Sequence, residues 1–221
     1  MRAILILSAC ATIMLFANVV QAQPNATPAT LRKLADDYYN WRNENYPVFS
    51  SDAGLHRWDN KLTDYSPAAI AARRARVVQL LAQVNRMRTD KWSKDDQIDW
   101  LLFRAQLEGP AFFDRVMDFE HSDPQTYVNE CSNGIFSLLK KDYDTPRNRA
   151  LAATARLKQM PFVIELGKAN LTKPGQLYAQ LAIDSARSID SLFNDSLMTL
   201  AKDLSPAERS DLTKARDAAL V

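Results

Sequence analysis

Helix start signals recur along the sequence as pairs of a hydroxyl residue and a proline, at Thr27-Pro28, Ser66-Pro67, Thr145-Pro146 and Ser205-Pro206. The hydroxyl of such a pair can cap a helix N-terminus, and proline is tolerated at the first helical position because its missing N–H would have no partner there. The last pair also fits a capping box, because Glu208 can reach back to the cap. Ser93 provides a weaker signal of the same kind. These signals constrain the chain to a series of helices with fixed starting points.

Apolar side chains repeat at helical spacing between these points. After Ser66, for example, Ile70, Val77 and Val84 fall on one stripe, while most nearby arginines fall outside it. The chain has only five glycines and almost no β-branched alternation. The predicted helices cover about residues 28–46, 67 onward, 94–118 with a bend or interruption at Gly109-Pro110, 124–140 with a break near Asn133-Gly134, 146–159, 161–168, 174–203 and 206 onward. We predict an all-α fold, a multi-helix array of antiparallel helix hairpins without strands.

Positive and negative charges are balanced along the chain. Its 221 residues include 28 basic and 26 acidic side chains, which are interspersed and give a formal net charge of +2. Proteins that bind nucleic acids commonly carry a basic patch or stripe, which this sequence lacks. We therefore predict no nucleic-acid partner.

The first 22 residues have the pattern of a signal peptide. Arg2 precedes a nearly apolar run from residue 3 to 20, and Val20-Gln21-Ala22 offers the small residues that signal peptidase accepts. We predict cleavage before Gln23, a mature helical region over residues 23–221, periplasmic or secreted localisation, and no membrane association after cleavage. Two alternatives stay open. The apolar run could remain as a membrane anchor, and Leu7-Ser8-Ala9-Cys10 matches a lipoprotein cleavage box.

Residues suited to catalysis or metal binding are sparse. The chain contains no zinc-protease motif, phosphate-binding loop or nucleophile elbow, and its two histidines, His56 and His121, lie far apart. Cys131 with His121 as a base would be a possible nucleophile. A lone cysteine beside the turn residues Asn133-Gly134 is more typical of a small buried hydrophobe between two helices. We therefore assign no catalytic, cofactor-binding or metal residue in this chain.

One loop concentrates polar residues between two predicted helices. This segment, "AGLHRWDNKLTDYS", covers residues 53–66 and is called the corner below. Its candidate residues are Gly54, His56, Arg57, Asp59 and Asp64. Two interpretations are open. The aspartates can accept local backbone N–H groups and hold the loop together, or His56, Arg57 and Asp59 can face a substrate cleft.

The corner also carries a resemblance to a known family. The stretch "PVFSSDAGLHRWDNKLTDYSPAAIAARRARVVQLL" resembles the start of the DUF885 family, with Gly54, His56, Asp59, Leu62, Asp64 and Ser66 at matching positions. Three later stretches are similar to successive family blocks, namely "DDQIDWLLFRAQLE", "NGIFSLLKKDY" and "RLKQMPFVIELGKANLTKP". The resemblance therefore covers nearly all of the mature chain.

The resemblance implies a large, mainly helical, exported bacterial protein whose later part is like a zinc metallopeptidase. That part carries a zinc motif, which is absent here, so the chain is expected to be an N-terminal portion ending before it. The apolar stripe begun after Ser205 stops at Val221 without a helix-ending signal, as such a portion would. We predict a scaffold that is inactive alone and packs against missing C-terminal helices, in a protein acting on peptide-like substrates with zinc. The alternative is a free-standing exported binding or structural module.

Overall fold

A computed structural model describes residues 26–221, and the predicted signal peptide lies outside this range. The α-helices of this part are α1 Pro28–Asn45, α2 Pro47–Asp52, α3 Pro67–Asn85, α4 Lys94–Val116, α5 Phe119–Ser122, α6 Gln125–Leu139, α7 Pro146–Leu157, α8 Met160–Asn170, α9 Gln176–Ser191 and α10 Pro206–Ala219. No strand occurs within residues 26–221, which confirms the all-α prediction. None of these described helices is both long and apolar enough to cross a membrane.

The predicted helix caps are present. The hydroxyls of Thr27, Ser66, Thr145 and Ser205 each accept the backbone N–H three residues later. Glu208 completes the capping box, because its carboxylate accepts the Ser205 N–H at 2.9 Å. Local side-chain chemistry therefore fixes where these helices begin.

Two hydrophobic clusters hold the helices together. The N-terminal cluster joins α1, α3 and α4 through Leu31, Tyr38, Val77, Leu80, Val84, Phe103 and Leu107. The main cluster extends from α2 and the corner to α10, and its completely buried members include Ile135, Leu138, Leu157, Leu197 and Leu212. The corner thus lies at the edge of the main cluster, where α2, α6 and α7 meet.

The break predicted near Asn133-Gly134 is wrong, because α6 continues through both residues. A side chain at Gly134 would bring its Cβ within 2.9 Å of a Leu62 methyl group, so this glycine permits close packing of the corner on the helix. Similarly, α4 passes through Gly109-Pro110 as one helix. Pro110 removes one backbone hydrogen bond of α4, while Phe103 and Leu107 of the same helix are buried in the N-terminal cluster.

The helix predicted over residues 174–203 is correct only for its first part. After α9 the chain forms a π-helical turn over Leu192–Ser196 and then a 3₁₀-helix over Leu197–Asp203. Ile189, Phe193 and Leu197 are all buried and are spaced by four residues. An ideal α-helix has 3.6 residues per turn, so side chains spaced by four residues would shift progressively around its surface. The π-helical turn has more residues per turn, which keeps the three side chains on the buried side.

Candidate functional site

Asp59 is the centre of the corner. Its carboxylate accepts hydrogen bonds from the Ser51 hydroxyl at 2.5 Å and from the Tyr143 hydroxyl at 2.5 Å. The His56 Nδ1 atom lies 3.0 Å from the same carboxylate. Asp59 is only 8% exposed. Side chains from α2, from the corner itself and from the α6–α7 connection therefore converge on one nearly buried carboxylate.

The imidazole of His56 is held from two directions. Its ring stacks on Tyr143 with centroids 3.3 Å apart and planes 4° from parallel, while Nδ1 meets Asp59. Burial and the hydrogen bond to Asp59 raise the pKa of Tyr143 well above its ordinary value. The tyrosine hydroxyl therefore remains a donor to Asp59 at neutral pH, and the three side chains form one hydrogen-bonded unit.

The other predicted residues of the corner do not join this unit. Gly54 follows Ala53, the C-cap residue of α2, and has a φ of +89°, a backbone conformation that glycine adopts without strain. Arg57 is exposed, and its guanidinium lies 5.4 Å from the Trp58 ring. The exposed Asp64 carboxylate accepts the Ser66 N–H at 2.7 Å. The structure therefore brings His56 and Asp59 together, and leaves Arg57 and Asp64 outside their network.

Arg156 lies behind this network and was not foreseen from the sequence. The side chain is completely buried. It donates to the Ser51 hydroxyl and the Gly134 carbonyl, both at 2.6 Å, and to the Lys61 carbonyl at 2.9 Å. Burial lowers the pKa of Arg156 to about 10, against the opposing effect of nearby carboxylates. This guanidinium connects α7 to α2, the corner and α6 at once.

A cleft of about 350 Å³ opens between α2 and α6, beside the corner. We call it the α2–α6 cleft, and its lining residues are Tyr46, Val48, Phe49, Asp52, Thr63, Thr126, Asn129, Glu130, Asn133 and Phe136. The corner contributes Thr63 to this lining, next to Glu130. The corner therefore shapes one side of a cavity large enough for a small ligand.

Glu130 is the buried carboxylate of this cleft. The residue is 9% exposed, and it accepts the Thr63 backbone N–H at 2.7 Å and the Tyr65 hydroxyl at 3.3 Å. Burial raises the pKa of Glu130, and the Thr63 N–H opposes this change. A single glutamate in an amphipathic helix gives no functional signal in a sequence, which explains why Glu130 was missed.

The neighbouring Cys131 is buried in the main cluster, as predicted for a lone cysteine. Burial raises the pKa of its thiol to about 12, and the adjacent Glu130 adds to the rise. His121, the potential base, instead approaches Asp118, with Nδ1 2.7 Å from the carboxylate. A buried thiol that stays protonated is a poor nucleophile.

The described side chains do not fit a zinc site. Residues 26–221 contain no group of three histidine, cysteine or acidic side chains placed to hold a metal. His56 and His121 lie on different elements, and each directs Nδ1 to a single aspartate. A zinc site in proteins normally requires three or four convergent ligands.

Comparisons with known proteins give the chain a family context. The family model described as a bacterial protein of unknown function, DUF885, matches residues 47–221. A solved structure from Shewanella oneidensis, described as a candidate lipoprotein of unknown function, has a similar fold with a TM-score of 0.73 and 21% identity. The alignment covers 88% of this chain and 35% of the other, so this chain spans about a third of that protein's length. No curated protein matches significantly.

Proposed function

This chain belongs to the DUF885 family of bacterial proteins, and on that premise we propose that it is the N-terminal helical scaffold of an exported, zinc-hydrolase-like protein. The scaffold does not catalyse a reaction by itself. The resemblance to the family supports the hydrolase character, a peptide-like substrate and zinc for the whole protein only. The arrangement of His56 and His121 supports no catalytic step within residues 26–221.

The outer face of α4 is the observation that carries the scaffold proposal. One side of this helix buries Phe103 and Leu107 in the N-terminal cluster. The other side exposes an apolar stripe at helical spacing, which we call the outer stripe: Ile98, Leu101, Leu102, Phe112, Phe113 and Val116. Leu101 is 53% exposed and Phe112 is 48% exposed. The helix is thus apolar on two opposite faces, and described residues cover only one of them.

A helix that is apolar on both faces is typical of a protein interior. The 23 residues of α4 extend over about 34 Å at 1.5 Å per residue, which is enough for packing against another helix along several turns. The longer Shewanella protein supports further chain as the covering element, because 88% of this chain aligns with only 35% of it. We assign the outer stripe to the C-terminal helices of the DUF885 fold.

Dye binding and sedimentation test this proposal on the purified chain. The chain is expected to bind a hydrophobic dye and to self-associate, because large exposed apolar patches promote both. Replacing two stripe residues, Leu101→Gln with Phe112→Gln, should reduce dye fluorescence and association. The pair should change the free energy of unfolding by no more than about 0.5 kcal/mol per site, since both side chains are largely exposed.

Val78→Gln is the matched control, because Val78 is 59% exposed on α3 and lies outside the stripe. It should change neither readout. A chain that is monodisperse, melts cooperatively and binds no dye would contradict the scaffold proposal. That result would favour the free-standing binding or structural module.

Within the scaffold, we assign the corner a structural role. Three side chains contact the Asp59 carboxylate, and the buried Arg156 hydrogen-bonds to the same segment from α7. These contacts support a corner that holds α2 and one side of the cleft in place. The competing assignment makes His56, Arg57 and Asp59 part of a substrate cleft wall. Arg57 lies outside the Asp59 network, which favours the structural role.

Export is proposed through cleavage before Gln23. The Shewanella protein is described as a candidate lipoprotein, which supports an exported relative. Mass spectrometry of the mature chain separates the alternatives. An N-terminal Gln23 is expected; a lipid-modified Cys10 would indicate a lipoprotein, and an intact Met1 would indicate an uncleaved anchor or a chain that is not exported.

A further inference from the structure

The α2–α6 cleft contains a buried carboxylate without a cationic partner. Among residues 26–221, no lysine or arginine forms an ion pair with Glu130. Its hydrogen-bond donors are the Thr63 N–H, the Thr63 hydroxyl and the Tyr65 hydroxyl. Arg156 acts on Glu130 only at longer range, since its own hydrogen bonds go to carbonyls and hydroxyls. A buried carboxylate is normally paired with a cation or fully hydrogen-bonded. A carboxylate can accept about four hydrogen bonds, so Glu130 retains acceptor capacity, and the residue lines the cleft.

The sides of the cleft suit a cation on an apolar stem. Phe49 and Phe136 line the cleft, and each ring is about half exposed. The Arg42 guanidinium lies over the Phe49 ring, 4.9 Å from its centroid, so this ring already has a cation on one face. Phe49 therefore offers the cleft an apolar surface for a stem and not a second place for a charge. Asn129 and Asn133 add side-chain amides one helical turn apart on α6, each with an oxygen that can accept from a ligand. Aromatic walls and several oxygen acceptors thus surround the carboxylate.

The charges at the cleft mouth leave Glu130 as the free anion. Asp52 lines the mouth, but the Lys140 ammonium is already bonded to its carboxylate. An anionic ligand would be repelled by the Glu130 carboxylate, whereas a cationic ligand would supply the direct ion pair that Arg156 does not make with it. An ammonium has three N–H donors, which matches the cluster of oxygen acceptors.

We propose that the α2–α6 cleft binds a small primary alkylammonium ion, with the ammonium on Glu130 and the alkyl stem between Phe49 and Phe136. The cavity of about 350 Å³ lies at the small end of ligand sites, which limits the ligand to a short amine. This site is independent of the scaffold role, since it lies between α2 and α6 and the outer stripe lies on α4.

Titration of the chain with n-butylammonium at pH 8, followed by NMR or calorimetry, tests the site. The amine remains protonated there, as lysine does. Glu130→Gln keeps an acceptor for the Thr63 N–H and removes the charge. It should weaken butylammonium binding by at least about tenfold, in line with hydrogen bonds to charged groups. The neutral isostere 1-butanol should bind equally weakly to both proteins.

Glu165→Gln is the matched control, because it makes the same substitution at an exposed carboxylate of α8 that is paired with Lys168 and lies outside the cleft lining. It should leave the affinity nearly unchanged. If Glu130→Gln does not fold, Phe136→Ala supplies the test, because it removes the ring that packs on the alkyl stem; the half-exposed side chain can be truncated, and the affinity should fall by about fourfold, as for the loss of one buried methylene contact. Equal binding of butylammonium and butanol to the parent chain would overturn the proposal. So would butylammonium affinity that neither Glu130→Gln nor Phe136→Ala reduces.

Discussion

Replacement of Asp59 by alanine is expected to destabilise the chain by about 3 kcal/mol. The substitution removes one acceptor that serves Ser51, His56 and Tyr143. Ser51 is 1% exposed, so water does not replace its lost bond, and a hydrogen bond to a charged group contributes about 1.5–3 kcal/mol. His56 and Tyr143 are partly exposed, so water recovers most of their interaction and each loses about 0.5–1 kcal/mol.

Urea denaturation monitored by circular dichroism measures this loss. With a slope of about 3 kcal/mol per molar urea, the midpoint should fall by about 1 M without a change in slope. Arg57→Ala is the control, because Arg57 is exposed in the same corner and outside the Asp59 network; its effect should stay within about 0.5 kcal/mol. An Asp59→Ala change below about 1 kcal/mol would refute the structural role of the corner and favour the cleft-wall assignment.

Three further outcomes follow from buried groups. Gly167→Ala places a Cβ 2.7 Å from the Tyr127 ring, whose hydroxyl is held by the Glu120 carbonyl and Asn170. In urea denaturation, the overpacking cost of about 1–3 kcal/mol should exceed the gain in helix propensity of about 1 kcal/mol, so the variant should be less stable. In a Tyr127→Leu background the same substitution should stabilise the chain. In the chain that begins at Gln23, Cys131 is the one cysteine. Its thiol, with a pKa raised by burial to about 12, should react with a thiol reagent only in denaturant, and rapid reaction of this chain in its native state would contradict the burial. Burial raises the pKa of Glu130 above 4.5, so the folded state binds this proton more tightly than the unfolded state. Protonated Glu130 therefore contributes fully to the free energy of unfolding below pH 4.5, and the contribution falls as pH rises through the raised pKa. Urea midpoints measured across this pH range should lack this pH dependence in Glu130→Gln, and identical pH profiles of the two proteins would contradict the prediction.

Local chemistry made the helices predictable. A cap requires only a hydroxyl and a backbone N–H three residues later, so Thr27, Ser66, Thr145 and Ser205 identify helix starts within a short stretch of sequence. Gly134 shows the limit of such signals. It was interpreted as a turn residue, whereas its close neighbour is Leu62, which lies far away in the sequence. Sequence spacing does not distinguish a glycine that bends the chain from one that admits a neighbour.

The contacts of the candidate site also divide into local ones, which the sequence indicates, and long-range ones, which it does not. The contact between His56 and Asp59 spans three residues and lies within one recognisable segment. By contrast, Tyr143 meets Asp59 across 84 residues, and Glu130 meets Thr63 across 67. No local pattern marks these partners, because tertiary folding alone brings them together. The corner could therefore be found from the sequence, while the cleft beside it could not.

The reach of Arg156 has a consequence for the order of folding during synthesis. Its contact with Ser51 spans 105 residues, which a ribosome takes about 5–20 s to translate. The N-terminal cluster needs no buried side chain beyond Leu107, so all its buried members emerge before Arg156 is made. We therefore expect nascent α1, α3 and α4 to collapse first. The corner closes later, when Arg156 from the second half of the chain becomes available to donate to the Ser51 hydroxyl and to the Lys61 and Gly134 carbonyls.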